Sequence, residues 1–350
     1  VIKIDYWLRS SGLTEKTNMS KPRITIIGLG LVGGSIGLGL RSGTKAVQVV
    51  GHDREPGIGK LAQKKGAVDK STRNLLNACD DADLVIIATP ITAIRETLEL
   101  IGPHLKQGCV VTDTATVKEP VLAWAAETLP AGVSFVGGDP LLRPNAGPED
   151  LAALRGIESA DADLFQNALY VLCPSSETSP RAIKRVTDMI SLLKARAFYV
   201  DPVEHDGMRA AVEGLPQLTS LAMMRQASGS PGWKEARKLA DHVFGAATAS
   251  LTDDAATQSA QALLNADHLL PRIDVLIHEL TRIREWIAAG NADALQAAFD
   301  QAASARSQWL MDRAKGDWEE ELVELGVKGT LGSLTDMVGF GLAERKPKEK

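Results

Sequence analysis

The run Gly28-Leu29-Gly30-Leu31-Val32-Gly33 spells G-x-G-x-x-G directly after the apolar stretch Ile24 to Ile27, and an acid, Asp53, stands 20 residues beyond the last glycine. That spacing describes a dinucleotide cradle. Gly28 permits the tight turn, Gly30 lets the backbone approach a pyrophosphate, and Gly33 lets the next helix pack on its strand. The helix start then turns free N–H groups and its positive dipole end toward the phosphates. Asp53 follows a second strand, Val47 to Gly51, and is placed to receive the adenosine ribose hydroxyls. Its charge favours NAD by repelling a 2′-phosphate, while Arg54 beside it leaves NADP open. A glycine motif alone is weak, and a ligand-free strand-to-helix turn is the competing reading. The strand, helix and acid around it give it weight.

Positioning such a cradle takes an alternation of strands and helices, and the sequence supplies it. Strands are expected at Asp83 to Ala88, Cys109 to Thr112, Val133 to Val136, Ala168 to Cys173 and Ala197 to Val200. Helices are expected at Gly57 to Lys65, Thr92 to Ile101, Glu119 to Thr128 and Pro180 to Leu193. This is an α/β chain: an N-terminal Rossmann-type, doubly wound, mostly parallel sheet over 21–200, then an all-α helical domain over 201–315 for substrate and dimerisation. Residues 1–20 read as an extension, with Met19 a candidate natural start, and 316–350 as a tail whose last residues are expected to be disordered. Asp201-Pro202-Val203-Glu204 combines an N-cap acid, proline at the first helical position and glutamate at N3, which starts a helix between the domains. Ala255 to Ala289 and Ala292 to Arg313 are amphipathic. Their apolar faces predict a homodimer, with a self-contained bundle as the alternative.

In a doubly wound sheet ligands sit beyond the carboxyl ends of the strands, so four segments are candidates for chemistry. Thr89-Pro90 would lie on the nicotinamide side of the cofactor. Asp113 to Lys118, which includes Thr116, follows the next strand; Gly137 to Pro144, with Asp139 and Arg143, follows another; His205-Asp206 lies one turn into the interdomain helix.

Composition excludes several classes. The 350 residues carry a net charge of −5 with no long basic run outside the extreme C-terminus, so no nucleic-acid footprint is present. No apolar stretch is long enough to span a membrane, and the first residues lack a secretory h-region. Cys79, Cys109 and Cys173 are far apart and read as reduced core thiols of a cytoplasmic protein. The histidines besides His205 (His52, His104, His242, His268 and His278) show no metal spacing, and no metal is expected.

Longer stretches resemble the prephenate and arogenate dehydrogenases, which oxidise and decarboxylate a cyclohexadienol on the way to tyrosine. The resemblance runs through GLGLVGGSIGLGL from Gly28, GHDR from Gly51, ADLVIIATP from Ala82, TDTATVKEPV from Thr112, GGDP from Gly137, ADLFQNALYVLCP from Ala162 and DPVEHDGMRAAVEGLPQ from Asp201. It implies an NAD(P)-dependent oxidoreductase acting on a small-molecule acid. Asp139 stands where the family has a histidine bonded to the substrate hydroxyl, Gln217 where it has another histidine, and Phe244 to Leu251 lacks the family's substrate arginine. Thr116 takes the place of a substrate-contacting serine. Asp139 is therefore expected as base, with Thr116 and His205 beside it as catalytic groups, and Arg143, Lys118 and Gln217 as substrate-binding ones. The cofactor set is Gly28 to Gly33, Asp53, Arg54, Thr89, Pro90 and Asp113. Two other readings stay open: a dehydrogenase or reductase of a different small hydroxy acid using Asp139 and Arg143, and a dinucleotide-binding protein without catalysis.

Overall fold

The structure, a computed structural model, describes residues 21–144, 154–252 and 254–316. The extension 1–20 and the tail 317–350 lie outside the described residues. Eight strands form one sheet: β1 Arg23–Ile27, β2 Gln48–His52, β3 Lys70–Ser71, β4 Leu84–Ile87, β5 Val110–Asp113, β6 Ser134–Pro140, β7 Leu169–Cys173 and β8 Arg196–Tyr199. Their order is β3-β2-β1-β4-β5-β6-β7-β8, and every neighbouring pair is parallel except β6 with β7. The order reverses between β1 and β4, which opens a crevice at the carboxyl end of β1, beside the glycine turn.

The central strands are apolar on both faces because helices cover both. From β1, Ile24 and Ile26 join one core with Ile36, Leu40, Val49 and Phe165, while Ile27 joins a second with Val85, Ile87, Leu98 and Val111. The helices in the sheet region are α1 Leu31–Gly43, α2 Pro56–Lys64, α3 Leu75–Cys79, α4 Ile91–Ile101, α5 Glu119–Thr128 and α6 Pro180–Leu192. All three cysteines are free and buried, and burial pushes their thiols up to about 12, so they pack as small apolar groups.

After β8 the chain is helical: α7 Pro202–Arg209, a π-turn Ala210–Gly214, then α8 Leu215–Ser228, α9 Trp233–Ala236, α10 His242–Thr248, α11 Ala255–Leu264, α12 Ala266–Ala288 and α13 Ala292–Lys315. Asp201 caps α7 by accepting from the N–H groups of Val203 and Glu204. The π-turn has a covalent cause. Pro216 has no N–H to offer the carbonyl one turn back, and Leu215 N–H instead bonds Ala210, five residues earlier. The single helix expected over Ala255 to Ala289 is two helices. Asn265 breaks it by leaving helical geometry (φ −112°, ψ 26°) and donating its amide to the Asp206 carbonyl at 3.0 Å. By internal contacts the described residues up to 296 make one compact unit, which holds the sheet and the helices through α12, and those from 297 to 316 belong to a second.

Two strand assignments differ from the sequence reading. β3 is a polar two-residue edge strand with no apolar pattern to reveal it. β6 runs on through Gly137-Gly138-Asp139-Pro140, which reads as a loop in sequence.

Candidate active site

The glycine turn is built as its spacing predicts. Gly28 has φ +89°, and a Cβ on it would lie 2.4 Å from the Ala88 carbonyl oxygen; on Gly33 a Cβ would lie 1.9 Å from the Gly28 carbonyl oxygen. Neither position admits a side chain. At Gly30, by contrast, a Cβ would meet nothing within 4 Å, so the turn is open there. Helix α1 starts at this opening with no side-chain cap and no acid in its first turn. Leu29 is buried in the core, and Leu31 and Val32 pack partly buried against it. Asp53 accepts from Leu29 N–H at 2.8 Å and Glu55 N–H at 2.9 Å, which fixes its carboxylate at the turn with lone pairs to spare for hydroxyls. Thr89 carries a buried hydroxyl without a partner among the described residues, Pro90 caps α4, and Arg54 is exposed. An open turn, uncapped helix N–H groups and an orphaned hydroxyl suit a dinucleotide.

Behind the carboxyl ends of β5 and β6 lies a buried polar network. The Lys118 ammonium pairs with Asp113 and donates to the Gly138 carbonyl at 2.8 Å, and Asp113 in turn accepts from Gly138 N–H at 3.0 Å. Asp206 accepts from the N–H groups of Lys118 (2.7 Å) and Glu119 (2.9 Å), tying α7 to the start of α5. His205 sits between two acids, with Nδ1 2.8 Å from Asp206 and Nε2 3.0 Å from Asp139. Asp139 also pairs with Arg209 at 2.9 Å, and Arg209 reaches Glu213 at 2.6 Å. The result is a chain of alternating charge, Asp206-His205-Asp139-Arg209-Glu213, of which the first three are almost sealed from solvent.

The outer end of this chain opens into a cavity of about 400 Å³. Arg209, Glu213 and Gln217 line one wall, Thr116 faces them from the loop after β5, and leucines from α8, α11 and α12 make much of the remainder apolar. Thr116 Oγ1 accepts from the Gln261 amide at 2.9 Å, leaving its own hydrogen to donate.

Comparison with known proteins gives this geometry a lineage. Residues 36–199 match the model of the prephenate dehydrogenase nucleotide-binding domain, and residues 201–301 match that of the prephenate dehydrogenase dimerization domain. The chain belongs to the prephenate dehydrogenase family. Prephenate dehydrogenase of Bacillus subtilis is 27% identical over 287 residues, covering 81% of this chain and 75% of that one. Cyclohexadienyl dehydrogenase of Zymomonas mobilis is 28% identical, covering 81% and 94%. The crystal structure of Synechocystis arogenate dehydrogenase superposes with a TM-score of 0.67 at 26% identity, covering 82% of this chain and 99% of that one. By family the chain is an NAD-dependent oxidoreductase.

Against the prephenate dehydrogenase pattern, several expected roles move. Asp139 lies on a strand, 1% exposed, with its oxygens engaged by His205 and Arg209, and it does not line the cavity. Burial opposes its ionisation, yet Arg209 and His205 outweigh burial and hold its carboxyl below the usual range. So held, and away from the cavity, Asp139 is placed to anchor Arg209 from behind. His205 is equally enclosed. Lys118 is fully buried on Asp113 and does not reach the cavity. Arg143 pairs with Asp161 at 2.9 Å outside the cavity wall, so the expected carboxylate fork is not there. His242 is exposed beside Asp241.

Residue type alone does not single out Arg209 and Glu213. The signal was present: His205, Arg209, Glu213 and Gln217 recur every four residues along one helical run. A polar stripe at that interval shares one face.

The network also sets a pH window for stability. Burial lowers the His205 pKa, but hydrogen bonds to Asp139 and Asp206 overcome this and raise it above 6.5. Its contribution is complete below 6.5 and is lost as pH rises through the folded value. Asp139, lowered from 3.8, contributes fully above 3.8 and loses that contribution as pH falls through its folded value. Both are in force between 3.8 and 6.5. In urea unfolding, His205→Asn is expected to lose more stability relative to wild type at pH 6 than above the folded His205 pKa; an equal loss at both pH values would refute the charged histidine.

Proposed function

We propose that the protein oxidises prephenate or arogenate with NAD, releasing carbon dioxide, in a step toward tyrosine. The observation that carries this reading is Arg209 in the cavity wall, a cation anchored from behind by buried Asp139 in a chain that also has a dinucleotide turn. Where the resemblance expects a substrate arginine at Phe244 to Leu251, this chain supplies its cation from α7 instead.

NAD, when bound, supplies the hydride acceptor, held by Gly28 to Gly33 and Asp53. Arg209 binds a substrate carboxylate with the N–H donors its two acids leave free. The leucine walls take the ring and exclude water. Thr116 and Gln217 donate hydrogen bonds that orient the ring oxygens.

The protein works as a homodimer through residues of the matched dimerization domain. We place it in the cytoplasm, as suits a biosynthetic enzyme; among the described residues no helix is long and apolar enough to cross a membrane.

The test is NADH formation by purified protein offered prephenate and arogenate, each with NAD and with NADP. Turnover of either with NAD supports the reading. Tight cofactor binding with no turnover of either would overturn it in favour of a dinucleotide-binding protein without this chemistry.

A further inference from the structure

Oxidising a carbinol requires something to take the hydroxyl proton as the hydride leaves, and that group must reach the substrate. The buried acids do not: Asp139 and Asp206 are each 1% exposed and fully engaged by His205, Arg209 and backbone N–H groups. Among the described residues that line the cavity, Glu213 is the one carboxylate. Its side chain is 28% exposed, and one of its oxygens lies 2.6 Å from the Arg209 guanidinium.

We infer that Glu213, presented by the π-turn at Ala210–Gly214, is the catalytic residue that accepts the substrate hydroxyl proton. This rests on the dehydrogenase reading above and names the base that reading leaves unassigned.

Three features of the fold support it. A π-turn interrupts an otherwise regular helix at this residue, a distortion common at functional sites. Gly214 next to it allows α12 to approach: a Cβ there would lie 2.8 Å from Leu269 Cδ2, so the apolar wall comes up against Glu213's own turn. The charged groups facing Glu213 are Arg209 on α7, Asp139 on β6 and His205 on α7, while α12 brings uncharged Leu269. Burial pushes the Glu213 carboxyl above the usual carboxylate range, Arg209 and His205 partly offset this, and Asp139 adds to it. A substrate carboxylate docking on the free donors of Arg209 would bring a second negative charge beside Glu213 and raise its proton affinity further.

The step balances with NAD as oxidant. The carbinol C–H bond breaks and its electron pair passes to NAD as hydride, the hydroxyl proton passes to Glu213, and a ring carbonyl forms. The bond to the ring carboxylate then breaks, releasing carbon dioxide. Its electron pair aromatises the ring and leaves the oxygen anionic, and Glu213 returns the proton to give a phenol. NADH and carbon dioxide are the other products, with no net proton taken up.

The experiment measures kcat against pH for wild type, E213Q and D139N with the better of prephenate and arogenate, alongside NAD affinity. Wild-type kcat should rise with pH through an apparent pKa above the usual carboxylate range. E213Q should lower kcat about a hundredfold to ten-thousandfold and remove that acid limb, with NAD affinity unchanged. D139N should keep the limb. Glu213→Asp, which keeps the carboxylate one methylene back, should recover part of kcat and restore the limb, which a purely structural role would not predict. E213Q with kcat near wild type, or loss of the limb in D139N but not in E213Q, would overturn the assignment while leaving the dehydrogenase reading intact. Wild type that binds NAD and turns over neither substrate would overturn both.

Discussion

Arg209→Met is expected to destabilise the protein by about 3–5 kcal/mol, as removal of one partner from a buried ion pair does. Asp139 is 1% exposed, and without the guanidinium it keeps His205 as its one charged hydrogen-bond partner, with Lys118 acting only from a distance. The unfolding midpoint in urea should fall accordingly. A second substitution separates fold from function. In Arg209→Met with Asp139→Asn, the buried charge is gone while the amide oxygen still accepts from His205, so much of the lost stability should return. Catalysis should not return with it. Losing the cation that faces the cavity costs about 2–5 kcal/mol of transition-state binding, a fall in kcat/KM of about 30-fold or more, in both variants. A stable double variant with wild-type kcat/KM would mean that Arg209 serves packing and that the substrate acid is bound elsewhere.

The contrast between Asp139 and Arg209 shows where the sequence is legible. Strand β4 is an apolar run and β1 nearly one, both buried on two faces, and the glycine turn is fixed by sterics that tolerate no other residue at Gly28 or Gly33, so both can be read from residue type. The start of α7 is readable for the same reason: the Asp201-Pro202 pair offers an acceptor and a preset φ. Gly137-Gly138-Asp139-Pro140 has turn composition, yet pairing with β7 overrides it. Gly138 is there because a Cβ would lie 2.6 Å from the Asp113 carbonyl oxygen, a tertiary demand that no local pattern announces. Moving Asp139 from a loop tip into a strand changes its chemistry, since a loop acid can meet substrate and this one meets His205 and Arg209. Arg209 and Glu213 are not legible by residue type, because a lone arginine or glutamate on a helix is ordinarily a solvated one. Only their four-residue spacing with His205 and Gln217 marked them.

Ile277→Glu combined with Leu280→Glu is expected to leave the protein monomeric by breaking the homodimer proposed above. On α12, Leu270, Ile277, Leu280 and Ile287 are 59%, 57%, 55% and 63% exposed in the single chain. Their separations of seven, three and seven residues put them on one helical face. A lone exposed leucine needs no explanation, but four in register make a continuous apolar stripe within the segment that matches the dimerization domain. Burying each against a partner contributes about 1.5–3 kcal/mol, while a glutamate placed there brings a charge into the seam with no counterion to meet it. Sedimentation equilibrium should therefore report monomer mass for the double variant under conditions where wild type is dimeric. The same helix contributes Leu269 to the cavity wall. If the partner braces α12, kcat/KM should fall with the dimer, and cofactor affinity, set by the glycine turn far along the chain, should hold. A double variant that remains dimeric would show that the stripe is not the dimer seam.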